Sequence, residues 1–255
     1  MSEEITKPAV GEAVIDGLRS VSTATLTMQL IKRGIRRSWI AGTKPLFPGT
    51  PRVAGPAFTL RFIPMREDVA TRESYAKPRS LREAIEEVPA GALTVIEARG
   101  HQGCGTLGDI LLQRLKVRGC VGVVSDGAMR DIADMRAVGL PIFCSGVAAP
   151  PSITGLFFAD WQLPIGCGDV AVFPGDIVVA DEDGAVVVPR NLAAEIAEEA
   201  PEQDRFERFV QLQVAAGAPA LGLYPPTAES QAAYERWCAA GEPEDWPESA
   251  GPGGA

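Results

Sequence analysis

Four residues in the middle of the chain, Asp109, Arg130, Asp131 and Asp134, have types and spacing suited to holding an anion and a hard cation. Asp109 and Arg130-Asp131 each stand where the pattern predicts a helix N-terminus, an end whose dipole favours anions and disfavours cations. An Asp at such a place can simply complement the dipole, so the two acids alone leave that ordinary reading open. Arg130 does not fit it, because a cation there needs an anionic partner, either a neighbouring carboxylate or a substrate. Three carboxylates beside one guanidinium, with no cluster of His or Cys, are oxygen ligands that suit partly hydrated Mg²⁺ or Mn²⁺ rather than Zn²⁺.

Asp109 closes a glycine-rich segment, Arg99-Gly100-His101-Gln102-Gly103-Cys104-Gly105-Thr106-Leu107-Gly108. Its glycines allow sharp turns and close approach to a ligand, and the helix start that follows offers unpaired N–H groups to a carboxylate or phosphate. Gly-rich turns between strand and helix are also common structural devices, and this spacing matches neither a P-loop nor a GxGxxG fingerprint, so the loop by itself leaves both readings open. His101 is the only histidine of the chain and is either a proton shuttle or a hydrogen-bonded loop residue. With one histidine, neither a Ser/His/Asp triad nor a nucleophilic Cys104 has a dedicated base.

The elements that must position these residues read as alternating. Leu93 to Ala98 is a strand, Leu107 to Arg118 a helix stopped by Gly119, Cys120 to Val124 a strand, Met129 to Val138 a helix ended by Gly139, and Ile142 to Cys144 a strand. This β-α-β-α-β order builds a parallel, right-handed sheet that binds ligands beyond the carboxyl ends of its strands. The loop 99–109 and the segment Ser125-Asp126-Gly127-Ala128-Met129-Arg130-Asp131 leave neighbouring strand ends, roughly 5 to 10 Å apart. Upstream, helices are predicted over Glu12–Leu18 and Ser22–Ile35, a loop over Gly42–Pro51, a strand over Val53–Leu60, a surface excursion over Arg66–Lys77 and a capping box at Ser80 and Glu83. Downstream come short strands at Val170–Phe173, Ile177–Ala180 and Ala185–Val188, the last two joined by a turn ending Asp183-Gly184. A long helix over Leu192–Val214, a short one over Ala228–Trp237 and a disordered tail over Pro243–Ala255 complete the prediction.

The chain's 255 residues, 46% hydrophobic and 22% charged, suffice for one substantial globular core. No segment approaches a membrane span, and the acidic Met1-Ser2-Glu3-Glu4 start is unlike a signal peptide, so the predicted location is cytoplasmic. Five cysteines without a CxxC pair read as reduced thiols, and a net charge of −9 argues against a nucleic-acid partner.

Gly105-Thr106-Leu107-Gly108-Asp109, Arg118-Gly119 and Val123-Val124-Ser125-Asp126-Gly127-Ala128-Met129-Arg130-Asp131 resemble the RraA-like family, which includes the 4-hydroxy-4-methyl-2-oxoglutarate aldolases. The catalytic pattern of that family, Asp, twenty residues, Arg-Asp, two residues and a further acid, is filled by Asp109, Arg130, Asp131 and Asp134. The likeness extends to Ala54-Gly55-Pro56-Ala57, Pro174-Gly175-Asp176 and Asp181-Glu182-Asp183-Gly184 and covers most of residues 15–200. It implies an α/β, three-layer β/β/α swivelling-domain-like fold with a parallel βαβαβ centre and extra N- and C-terminal helices. The domain would span 1–214, and 215–255 would form a helical extension and tail.

The resemblance further implies a metal-dependent lyase, a class II pyruvate aldolase or oxaloacetate decarboxylase acting on a small 2-oxo acid through a pyruvate enolate. Asp131 would bind Mg²⁺ or Mn²⁺ directly, Asp109 and Asp134 would act through water, and Arg130 would contact the substrate and its enolate oxygen. Gly108, Asp109 and the backbone N–H groups of Ile110 and Leu111 would complete the substrate site. Members form homotrimers or hexamers with sites near subunit contacts. Others bind and inhibit a ribonuclease; Asp134, which regulators often lack, favours catalysis here. A lyase or dehydratase acting on a sugar acid would use the same chemistry, and His101, Gln102 and the terminal extensions fall outside the pattern.

Overall fold

A computed structural model describes residues 10–246. Two helices, α1 (Glu12–Ser20) and α2 (Thr23–Lys32), precede the short strands β1 (Trp39–Ile40) and β2 (Lys44–Pro45) and the long β3 (Val53–Pro64). Then come α3 (Leu81–Glu87), β4 (Leu93–Glu97), α4 (Asp109–Val117), β5 (Gly122–Met129), α5 (Ile132–Val138) and β6 (Ile142–Val147). They are followed by β7 (Leu156–Trp161), β8 (Ile165–Cys167), β9 (Val170–Val172), β10 (Ile177–Asp181), β11 (Gly184–Val188), α6 (Ala193–Ala215) and α7 (Ala228–Ala239).

The expected parallel centre is present: β3, β4, β5 and β6 lie side by side, all parallel. From β3 the sheet continues antiparallel through β10, β11 and β1, while β2 borders β6. The far end of β3 pairs with β7, and β8 and β9 make a separate ribbon. Strands covered on both faces read as continuous apolar runs, and adjacent residues here serve opposite layers. Val123 and Ile142 join Ile85, Leu112, Leu115 and Met135 of the helices, whereas Val124 and Phe143 join Ile165, Cys167, Val170 and Val172 of the ribbon. The central sheet is thus sandwiched between a helical and a β layer. No helix among the described residues is long and apolar enough to cross a membrane.

Several boundaries differ from expectation for identifiable reasons. Met129 does not begin a helix: past an irregularity after Ser125, β5 resumes pairing with β6 at Ala128↔Gly146 and Met129↔Val147, and α5 starts only at Ile132. Leu107, predicted within a helix, precedes α4 and is buried. Ser80 caps α3 only by position, since its side chain accepts no cap hydrogen bond and Glu83 takes the Arg79 N–H instead. The 66–77 excursion contains a 3-10 turn at Arg72–Ala76, and β7 and β8 were not foreseen.

The described residues fall into two compact units, one up to Glu198 and one from Glu199. The second has its own core of Phe209, Leu223, Ala233, Tyr234 and Trp237, and the Tyr234 hydroxyl donates to Glu202 at 2.7 Å. Of the tail expected to be disordered, Pro243 is fixed by a 2.9 Å bond from Trp237 Nε1, and 247–255 lie outside the described residues.

One buried acid secures the N-terminal helices to the sheet. The carboxylate of Asp181, at the end of β10, accepts from Thr23 N at 2.9 Å, Thr23 Oγ1 at 2.7 Å, Asp183 N at 3.1 Å and Arg52 Nε at 3.3 Å. Truncation would leave buried donors without an acceptor, so Asp181→Ala should lower unfolding free energy by about 3 kcal/mol in denaturant titration. A change below ~0.5 kcal/mol, ordinary for a surface position, would refute this anchoring role.

Candidate active site

Where β4 ends, Arg99 (φ 59°) and Gly100 (φ 67°) take the left-handed conformation in succession and reverse the chain into the glycine loop. Asp126 of β5, only 5% exposed, fixes this reversal. Its carboxylate accepts from Ala98 N at 2.6 Å, Gly100 N at 3.2 Å and Gly168 N at 3.2 Å, tying the loop and the β8–β9 turn to one strand. Burial raises its pKa, and the three N–H groups act in the opposite direction. Sequence reasoning passed over Asp126 as one more polar loop residue. The available signal was an acid inside an apolar strand run.

The rest of the loop adds itself to the end of β5 as a short parallel partner. Gly105 bridges to Ala128, Thr106 N donates to Ala128 O at 2.9 Å, and Arg130 N donates to Leu107 O at 3.1 Å. On the loop's other edge, Gly105 N donates to Pro150 O at 2.9 Å. The approach is close enough to demand glycine. A Cβ on Gly105 would lie 2.7 Å from Arg130 Cβ and Cγ, and one on Gly108 would lie 2.5 Å from Asp131 Oδ2. Gly108 has an ordinary φ of −116°, so the missing side chain there provides room for Asp131 rather than backbone freedom.

Arg130 and Asp131 form an ion pair, Nε to Oδ2 at 3.0 Å, with both side chains 33% exposed. A second contact runs from Arg130 Nη2 to Oδ1 at 3.3 Å. The Nε contact lacks hydrogen-bond alignment, and Nε is buried without a hydrogen-bond partner. Asp131 itself is left-handed (φ 60°, ψ 44°) at the N-cap of α5, and its side chain makes no cap hydrogen bond. Its carboxylate lies instead beside Arg130 and Gly108, so simple capping does not account for it.

Asp109 opens α4 beside Gly108 and is half-buried. Leu112 N is bonded to Gly108 O at 3.1 Å, and the amides before it, including Ile110 and Leu111, lack an intrahelical acceptor as first-turn amides do. Ile110 is 77% exposed, and Leu111 is half-buried. Asp134 lies exposed in the first turn of α5. The structure therefore brings together Gly105, Gly108, Arg130 and Asp131, with Asp109 adjoining in the chain. Among the described residues no three His, Cys, Asp or Glu side chains gather into a metal-ligating group. A cleft of about 340 Å³ lined by Ser22, Thr50, Arg52, Asp181, Glu182 and Asp183 contains none of these residues.

A mixed α/β protein with a parallel centre, carrying at the end of β5 an Arg-Asp pair that lies against a glycine loop, is the class that fold and site define. The chain belongs to the RraA-like family, whose model, described as Aldolase/RraA, matches residues 14–187. It is 31% identical over 174 residues to a Halalkalibacterium halodurans protein provisionally named a 4-hydroxy-4-methyl-2-oxoglutarate aldolase, covering 68% of this chain and 77% of that one. Protein DlpA of Legionella pneumophila is 29% identical over 175 residues, 69% of this chain but only 27% of that protein's length. Among solved structures, Streptomyces coelicolor RraAS2, described as an unusual member of the RNase ES inhibitor RraA protein family, superposes with a TM-score of 0.72 at 38% identity. That match covers 80% of this chain and 98% of RraAS2. An uncharacterized Pseudomonas syringae protein gives a TM-score of 0.74 at 28% identity, over 85% and 95% of the two chains.

Asp126→Ala should cost about 2–3 kcal/mol of stability, because it strands the amides of Ala98, Gly100 and Gly168. Asp126→Asn, which keeps one acceptor oxygen, should cost less. Equal losses for both variants in thermal or chemical melts would contradict this account.

Proposed function

We propose that the protein is a divalent-metal-dependent lyase that cleaves a small 2-oxo acid to pyruvate, as a class II aldolase or an oxaloacetate decarboxylase. The observation that carries the reading is the Arg130–Asp131 pair, seated on two glycines that leave space for it, with both side chains partly exposed. Aldolase naming among relatives supports it.

The donor set fits a hard cation. Mg²⁺ and Mn²⁺ commonly take one or two protein carboxylates and fill their remaining positions with water and substrate, so a single direct ligand, Asp131, is sufficient. Asp109 and Asp134 would act through water. When bound, the cation supplies Lewis-acid activation of the 2-oxo group.

The chain's own residues perform the other tasks. The first-turn amides at Ile110 and Leu111, beside the Gly108 backbone, receive the substrate carboxylate at the positive end of α4. Arg130 places its charge at the 2-oxo oxygen, where negative charge develops as the pyruvate enolate forms. Asp109 holds a water that takes or returns the proton. In the cell, the enzyme would act in the cytoplasm as a homotrimer or hexamer.

The test is pyruvate release from oxaloacetate and from 4-hydroxy-4-methyl-2-oxoglutarate, with Mg²⁺ or with a chelator. Metal-dependent pyruvate is expected from at least one of them; its absence from both would defeat the reading, and a sugar-acid panel would then examine the related lyase chemistry. Arg130→Ala and Asp131→Ala should each reduce turnover by at least about a hundredfold while the fold is retained. Gly108→Ala should do likewise, since its Cβ would enter the space of Asp131 Oδ2. Wild-type turnover in both charge variants would show that the reaction takes place elsewhere.

A further inference from the structure

The imidazole of His101 occupies the space that two glycines leave open. A Cβ on Gly103 would lie 2.9 Å from His101 Nε2, and a Cβ on Gly155 would lie 2.4 Å from Nε2 and 3.0 Å from Cε1. The ring edge is therefore wedged between the glycine loop and the segment that leads into β7. The backbone of the same residue is bonded on both sides, His101 N to Ala98 O at 3.0 Å and Ala128 N to His101 O at 3.3 Å. One residue thus joins the end of β4, the loop, the end of β5 and the 152–155 segment. Cys104 supports the last of these contacts, with Sγ 3.5 Å from Ser152 O and a Gly155 Cβ only 3.3 Å from Sγ. The loop next forms its bonds from Gly105, Thr106 and Leu107 that hold Arg130 and its neighbours.

We propose that His101 is a positioning residue whose ring wedges the glycine loop against Gly155, fixing the register in which Gly105 and Gly108 seat Arg130 and Asp131. Its bearing on turnover rests on the lyase reading above, whereas the wedge itself does not. The ring acts by shape, and no proton passes through it. A planar side chain of similar reach can then replace it, while a small one cannot.

The experiment compares the wild-type protein with His101→Gln, His101→Ala, Gly155→Ala and the double variant His101→Ala/Gly155→Ala. His101→Ala should speed amide exchange at Gly105, Thr106 and Arg130 by about tenfold or more, while the strands beneath keep their protection. His101→Gln should stay near wild type in exchange, in turnover and in the shape of the pH–rate profile. Gly155→Ala should be clearly more destabilising in the wild-type background than once the ring is gone, when only the 3.3 Å contact with Cys104 Sγ remains, as a double-mutant cycle reads. Independent, additive effects at 101 and 155 would overturn the wedge. If the wedge holds but His101→Gln and His101→Ala lose turnover equally and both lose one limb of the pH profile, His101 is a proton carrier and the proposal is wrong. If no substrate yields pyruvate, the lyase reading fails by itself, and the exchange and stability measurements still decide the wedge.

Discussion

The site depends on a contact between two pieces of backbone. Beyond Glu97 the chain leaves the sheet, turns, and comes back to lie along the last residues of β5. That pairing takes place within a space that ordinary side chains would fill: a Cβ on Gly127 would lie 2.3 Å from the Cβ of Ala98. Glycines at 105, 108 and 127 let the strand end and the loop meet, and the meeting puts a guanidinium and a carboxylate against bare backbone. The energetic cost of so much glycine is a floppier unfolded chain and fewer buried contacts. It is offset by backbone hydrogen bonds and by the Asp126 carboxylate, which accepts from Ala98 N and Gly100 N at the start of the loop and from Gly168 N of the β8–β9 turn.

The parts of this arrangement that were legible in the sequence are those with a periodic signal. Apolar runs separated by helical spacing gave the order of β4, α4, β5, α5 and β6, because a parallel strand buried on both faces is apolar throughout. What the period could not show was where a strand stops. Ser125 to Met129 contains Asp and Gly and looks like a turn, yet Ala128 and Met129 pair with Gly146 and Val147 because β6 runs alongside. Long-range pairing decided that boundary. Local composition also hid Asp126, whose partners lie 26 to 42 positions away in the chain. Arg130 and Asp131 were legible for an electrostatic reason, a cation where a helix repels one, but their seat on Gly105 and Gly108 was not, since glycine in a loop has several uses.

The proteins this chain resembles include one provisionally named as an aldolase and one described within a family of ribonuclease inhibitors. The fold is common to both, so it cannot choose between them. Function is set by side chains grafted on a fold, and here the Arg130–Asp131 pair at the end of β5 is partly exposed. A chain with 33 acidic and 24 basic residues has little general attraction for a phosphate backbone.

The left-handed backbone of Asp131 has an evolutionary consequence. Among residues with side chains, Asp and Asn take that conformation most readily, and glycine takes it freely. Most replacements at position 131 would strain the start of α5, but asparagine, with an amide in place of the carboxylate, or glycine, with no side chain at all, would not. A lineage could thus lose the charge through a conformationally tolerated exchange and keep the entire scaffold, available for recruitment as a binding protein. The backbone geometry that holds a carboxylate at this position also makes its loss easy to survive.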